Sequence, residues 1–108
     1  MTPFQAYRYA LENGSNKVTR RIACQDPYIA YIYAVNIDKC SKWDTRTAIY
    51  NSPLCAYHYA QDVDNAPAND TRKTACQDPQ CAYWYAKNVD KCPTEDTRKG
   101  ACKDPRYA

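Results

Sequence analysis

The apolar residues of this chain recur in blocks whose internal spacing is helical. Ala30, Tyr33, Ala34 and Ile37 stand at i, i+3, i+4 and i+7, and the sets Ala56, Tyr59, Ala60, Val63 and Ala82, Tyr85, Ala86, Val89 repeat that stripe. Such a stripe is the buried face of an amphipathic helix. Each block opens on a start signal: Thr2-Pro3, Asp26-Pro27, Ser52-Pro53 or Asp78-Pro79. Thr, Asp and Ser accept hydrogen bonds from the unpaired amides of a first turn, and proline fits the first helical position. The pattern predicts one helix per block, helix A, running to about Asp38, Asp64 or Asp90. A second, helix B, is expected to be capped by Asp44, Asp70 or Asp96 and to continue to the next start signal. Pro67 and Pro93 fall in the turn between the two.

The blocks are copies of one unit. The motif AYxYA occupies residues 6–10, 30–34, 56–60 and 82–86, so its last three copies begin 26 residues apart. Thr-Arg recurs at 19–20, 45–46, 71–72 and 97–98, and proline recurs at 27, 53, 79 and 105. Three markers sharing one period define units 2–25, 26–51, 52–77 and 78–103 and a stub at 104–108. The first unit is two residues short around Asn13-Gly14, a helix-stop and turn pair. Helices of roughly eight to twelve residues are marginal alone, so stacking has to stabilise them. The expected fold is all-α, a single repeat domain over 1–108: an α-solenoid of four helix-turn-helix repeats of about 26 residues.

Comparison of the copies separates fixed from variable positions. Position 32 and its equivalents read Arg8, Ile32, His58 and Trp84; position 28 and its equivalents read Phe4, Tyr28, Leu54, Gln80 and Arg106. Their spacing predicts an outward face, which makes Arg8, Ile32, His58 and Trp84, with Tyr28 and Leu54 beside them, the candidate binding surface. Tyr31, Tyr33 and their equivalents keep register with the invariant alanines and are expected to stack between units, ring on ring.

AYxYA, then Val-Asp-Lys, Asp-Thr-Arg and Ala-Cys-Gln-Asp-Pro, resembles tandem-repeat proteins of bacteriophages and large DNA viruses across essentially the whole chain. The resemblance implies a viral or phage source and a place in the host cytoplasm or the virion. It implies no activity, and the four units here depart from the long arrays of that family.

Seven cysteines fall on three repeat positions. Cys24 and Cys40 are 16 residues apart, as are Cys76 and Cys92, and the unit between replaces both partners together, by Tyr50 and Ala66. Joint replacement suggests contact, as packed thiols or as disulfides. The odd count favours buried reduced thiols over disulfides, and metal comes last because structural zinc uses Cys pairs at closer spacing. The one histidine, His58, sits at a variable position, and no metal or cofactor is expected.

Arg20, Arg46, Arg72 and Arg98 form a ladder that could track phosphates. Each full unit also supplies aspartates, so pairing with Asp38, Asp64 or Asp90, or with the aspartate of the same helix B, is the favoured reading. A net charge of +3 makes nucleic acid an unfavoured partner. The start of the chain lacks a basic segment followed by an apolar one, so no signal peptide is expected, and the apolar run 28–35 is too short to span a membrane. No catalytic constellation is visible, and no enzyme is expected. Two readings of function remain: a self-assembling structural protein joined end to end in rings or filaments, or a monomeric interaction module that uses the variable face on a host protein.

Overall fold

The computed structural model describes residues 1–106, so the last two residues of the stub lie outside the described residues. Among the described residues the chain is all-helical and follows the predicted period. The helices A are α1 (Pro3–Asn13), α3 (Pro27–Tyr33), α5 (Pro53–Tyr59) and α7 (Pro79–Tyr85). The helices B are α2 (Lys17–Ala23), α4 (Trp43–Ala48), α6 (Asn69–Ala75) and α8 (Glu95–Ala101). Helices A stack on one another in one layer. Each of α3, α5 and α7 also packs on the helix B of its own unit and on that of the unit before. The stack measures 46 × 21 × 18 Å.

The start signals act as expected for helix A. Thr2, Asp26, Ser52 and Asp78 accept from backbone amides of the first turn, and proline follows each of them. Helix B corrects the expectation. Its N-caps are Asn16, Lys42, Ala68 and Thr94, and Asp44, Asp70 and Asp96 lie one residue inside the helix. The threonine of the Thr-Arg pair turns back instead: the Thr45, Thr71 and Thr97 hydroxyls donate to the N-cap carbonyls of Lys42, Ala68 and Thr94. Asp44 and Asp70 instead meet the arginine of the preceding unit.

α3, α5 and α7 each end in a π-helical turn, at Ala34–Asp38, Ala60–Asp64 and Ala86–Asp90, after which Lys39, Asn65 or Lys91 adopts positive φ. The amide of Lys39 reaches back to Ala34, five residues away. In the short first unit the same closure runs from Gly14 to Ala10, four residues away, with Gly14 at φ 95°. The two missing residues therefore remove the π turn and replace it with a glycine stop.

Tyr33, Tyr59 and Tyr85 are fully buried. Each places its hydroxyl against the helix B threonine of the preceding unit: Tyr33 on Thr19 at 3.2 Å, Tyr59 on Thr45 at 3.0 Å and Tyr85 on Thr71 at 2.7 Å. Their rings do not stack on one another. Each is faced by a guanidinium, with Arg20 5.2 Å, Arg46 5.6 Å and Arg72 5.7 Å from the ring centroid.

Candidate interaction surfaces

Every internal junction is built from the same parts. A helix A offers an apolar residue, a tyrosine and a second apolar residue at i, i+4 and i+8 to the unit before it. These are Ile29, Tyr33, Ile37 in α3, Cys55, Tyr59, Val63 in α5 and Cys81, Tyr85, Val89 in α7, all in the core clusters. The preceding unit answers with its arginine. Arg20 Nη1 donates to Asp38 at 2.5 Å, while its Nε and Nη2 clasp Asp44 at 2.8 and 2.5 Å. Arg46 repeats this with Asp64 at 2.8 Å and with Asp70 at 2.5 and 2.7 Å. Arg72 clasps Asp90 at 3.0 and 2.5 Å and turns its remaining nitrogen to Asn69. Arg20, Arg46 and Arg72 thus pair with carboxylates, and the helix B partner of Arg20 and Arg46 is the aspartate of the next unit, 24 residues on, rather than of their own helix. The tyrosine two residues earlier in each motif also crosses the junction: Tyr7 accepts from Asn36, Tyr31 donates to Asp62 and Tyr57 accepts from Asn88.

Two opposed charges and planar bidentate geometry make these junctions strong for their size. Hydrogen bonds from Arg20 hold Asp44 below the usual carboxylate range, and those from Arg46 hold Asp70 down at about 2. The same pairings, against the opposing effect of burial, raise Arg20 and Arg46 above the ordinary arginine value.

The C-terminal end carries the same receiving parts with nothing seated on them among the described residues. α7 and α8 border a groove of about 580 Å³ lined by Tyr83, Ala86, Lys87, Lys91, Cys92, Pro93, Thr97, Arg98, Ala101 and Cys102. Arg98 occupies the ladder position and is exposed, with no ion-pair partner among the described residues. Thr97 stands where Thr19, Thr45 and Thr71 receive tyrosine hydroxyls. Ala86 is half-buried, whereas Ala34 and Ala60, its equivalents, are fully buried by the next unit.

The opposite end presents a different face. At the positions that dock in α3, α5 and α7, α1 carries Gln5, Tyr9 and Asn13, all exposed. Gln5 is engaged in a capping box with Thr2, and Asn13 donates to the Tyr9 carbonyl at 3.2 Å. The positions of the two acceptor aspartates are Gly14 and Val18.

The structure scatters the residues singled out in the sequence. Arg8, Tyr28 and Leu54 are exposed, the last two at 58% and 56%. Ile32 and Trp84 are half-buried and pack against core clusters, so they belong to the seam rather than to an open face. His58 is half-buried too, its ring 5.8 Å from Tyr31 and 5.0 Å from Tyr57. All seven cysteines are free thiols: Cys76 is buried, Cys24 half-buried, and Cys40 and Cys92 exposed. The expected pairs are therefore unlike in burial. Burial pushes the thiols of Cys24 and Cys76 up to about 11, which keeps them protonated and weakly nucleophilic. Sequence reasoning missed the groove. Its signal was there in part, because the arginine ladder pairs 18 and 24 residues forward.

No metal-binding group of three or more His, Cys, Asp or Glu side chains occurs among the described residues, and no helix among them is long and apolar enough to cross a membrane. The chain matches no protein-family model, no curated protein and no solved structure.

Proposed function

We propose that this chain is a non-enzymatic interaction module, a helical solenoid whose C-terminal face is shaped to seat one further helix. The observation that carries this reading is the repeated junction: Arg98, Thr97, Ala86 and Ala101 stand as their equivalents do inside the stack, around a groove that no helix among the described residues fills. Among the described residues the groove lining holds no carboxylate and no histidine, which weighs against general acid–base chemistry there. Arg20, Arg46 and Arg72 are engaged by carboxylates, which leaves no continuous ladder for phosphates. End-to-end growth of this chain alone is disfavoured by the polar stripe of α1. The resemblance to phage and viral repeats makes a virion component or a host protein the class of partner.

The test is to fill the groove in the same chain. A copy of residues 52–77 placed after Lys103 puts its aspartates 18 and 24 residues beyond Arg98, as in the inner junctions. The five-unit chain is expected to melt several degrees higher in one transition, because neighbouring units stabilise each other through their interfaces. Arg98→Ala is expected to lower that melting temperature and to leave the four-unit chain unchanged. An unaltered melting temperature in the five-unit chain means that the C-terminal face is not a docking surface.

A further inference from the structure

The seams between successive helices B are not alike. The seam between α4 and α6 is crossed by Tyr50, whose hydroxyl donates to Asp70 at 2.7 Å. Between α2 and α4 the equivalent residue is Cys24, and Ala48 stands where α6 has Thr74. These small side chains line a groove of about 560 Å³ that lies inside the stack, between two described units. That volume falls within the range of small-molecule sites, roughly 300–1,000 Å³. One wall is Trp43, which is 78% exposed and belongs to none of the core clusters. The other units carry Lys17, Asn69 and Glu95 at that position, so the fold itself needs no ring there. Lys17 and Arg21 also line the groove, exposed and without an ion pair among the described residues. Its one carboxylate, Asp44, is already clasped by Arg20. With Asp38 on the far side of that clasp, three cations face two carboxylates. The Thr47 hydroxyl donates to the Asp44 carbonyl at 3.1 Å and so meets a ligand as an acceptor. Between α6 and α8, Cys76 and Gly100 again line a groove, of about 220 Å³, but there Glu95 replaces the indole.

We infer that the groove between α2 and α4 binds a nucleoside phosphate, with the base stacked on Trp43 and the phosphate held by Lys17 and Arg21. An exposed indole offers a flat face, and every base has a π-face to lay against it. A guanidinium and an ammonium beside that ring give charge-assisted bonds to phosphate oxygens. A bare anion would leave the ring unused, and an uncharged ring would leave both cations unused; a nucleotide engages all three. The inference is independent of the docking reading above and uses none of the arginines already engaged by carboxylates as its phosphate ligands. The nucleotide comes either free or as one residue of a single strand. The register of Arg21 continues through Thr47 to the exposed Lys73, where a further phosphate of a strand would pass.

The test is a titration of the isotopically labelled full chain, with reductant, followed at the Trp43 indole and the amides of Arg21, Thr47 and Ala48. The probes are AMP, ribose 5-phosphate, a single-stranded octamer of deoxyadenylate and an octamer of glutamate. AMP is expected to move these signals and to saturate at a concentration on the order of millimolar. Ribose 5-phosphate should bind about tenfold more weakly, the scale of one base–aromatic stack. Trp43→Ala should bring AMP down to the level of ribose 5-phosphate, Trp43→Phe should keep most of the affinity, and Arg21→Gln should lose about tenfold. A melting temperature equal to the parent's checks that each variant folds; if Trp43→Ala does not, Trp43→Phe and the two sugar phosphates decide. An octamer that binds more than about tenfold tighter than AMP and weakens steeply with salt makes a single strand the source, and one that binds no tighter makes it the free nucleotide. Equal binding of AMP and ribose 5-phosphate, or parent-like binding by Trp43→Ala, overturns the inference. So does an unmoved indole at about 10 mM AMP and millimolar octamer. A glutamate octamer that binds as tightly as the deoxyadenylate octamer makes this a site for acidic peptides and overturns it as well.

Discussion

Arg46 holds Asp64 and Asp70 from the unit that follows it, so what its removal leaves behind decides the cost. The Asp64 side chain is only 12% exposed. Arg46→Ala strands the Asp64 carboxylate, leaves Asp70 with only the Tyr50 hydroxyl and the Thr71 amide, and uncovers the Tyr59 ring, and should destabilise the fold by about 2 kcal/mol. Arg98→Ala strands nothing and should fall within about 0.5 kcal/mol of the parent. Urea unfolding of the two variants separates them; equal losses would show that the ladder contributes by helix propensity rather than by pairing. The same carboxylates set the pH dependence. Asp70 is held at about 2 against 3.8 when unpaired, and Asp44 is lowered as well. A depressed folded value means that the unfolded chain takes up protons first, so this stabilisation is complete well above pH 3.8 and lost as the pH falls from there towards 2. The melting temperature should be level from neutral pH to about 5 and drop below 4; a level profile down to pH 2 would remove the ladder from the account. That arginine pairs with aspartate was readable from their equal numbers. Which unit supplies the partner was not, because a 24-residue reach depends on how far one unit overlaps the next.

At the scale of the helix, Gly100 marks where α8 comes closest to its neighbours. A Cβ there would sit 2.7 Å from the Cys76 carbonyl oxygen and 2.8 Å from the Ala82 Cβ. The equivalent positions in the other units are Ile22, Ala48 and Thr74, all of which carry side chains. Alanine would favour the helix by about 1 kcal/mol, but the obstructing atoms belong to backbone and to a buried alanine and cannot swing aside. Gly100→Ala should therefore lower the melting temperature, by a net of about 1–2 kcal/mol, and a rise would show that α8 can sit back as the other helices B do. The starts of the helices A were legible because a proline and a capping side chain fix them locally, whereas those of the helices B, which lack that proline, were placed on the wrong cap. The π turns were not legible, because Ala34–Asp38 and its copies look like one more helical turn until the register of the hydrogen bonds is known. The facing of Ile32 and Trp84 was misread for a related reason. A single apolar stripe predicts one buried side, whereas each inner helix A touches its own helix B and both neighbouring units, so its seams are half-buried as well.

For the whole molecule, a solenoid is a sum of units and of the interfaces between them, and among the described residues the first and last units each lack a neighbour on one side. The period, the number of units and the all-helical class came directly from the sequence. The inequality of the ends did not, since it is visible only once the docking positions are known to be 29, 33 and 37 and their equivalents. With those in hand, Gln5 and Asn13 close the N-terminal face by chemistry, while Arg98 and Thr97 leave the C-terminal face ready to receive a helix that α1 does not resemble. The most direct measurement is light scattering on size-exclusion chromatography, with reductant, from micromolar to millimolar protein. A one-ended module remains a monomer of 12.4 kDa throughout. Mass that grows with concentration, and rings or fibres in images of that fraction, would show that α1 does seat in the groove and would contradict the account.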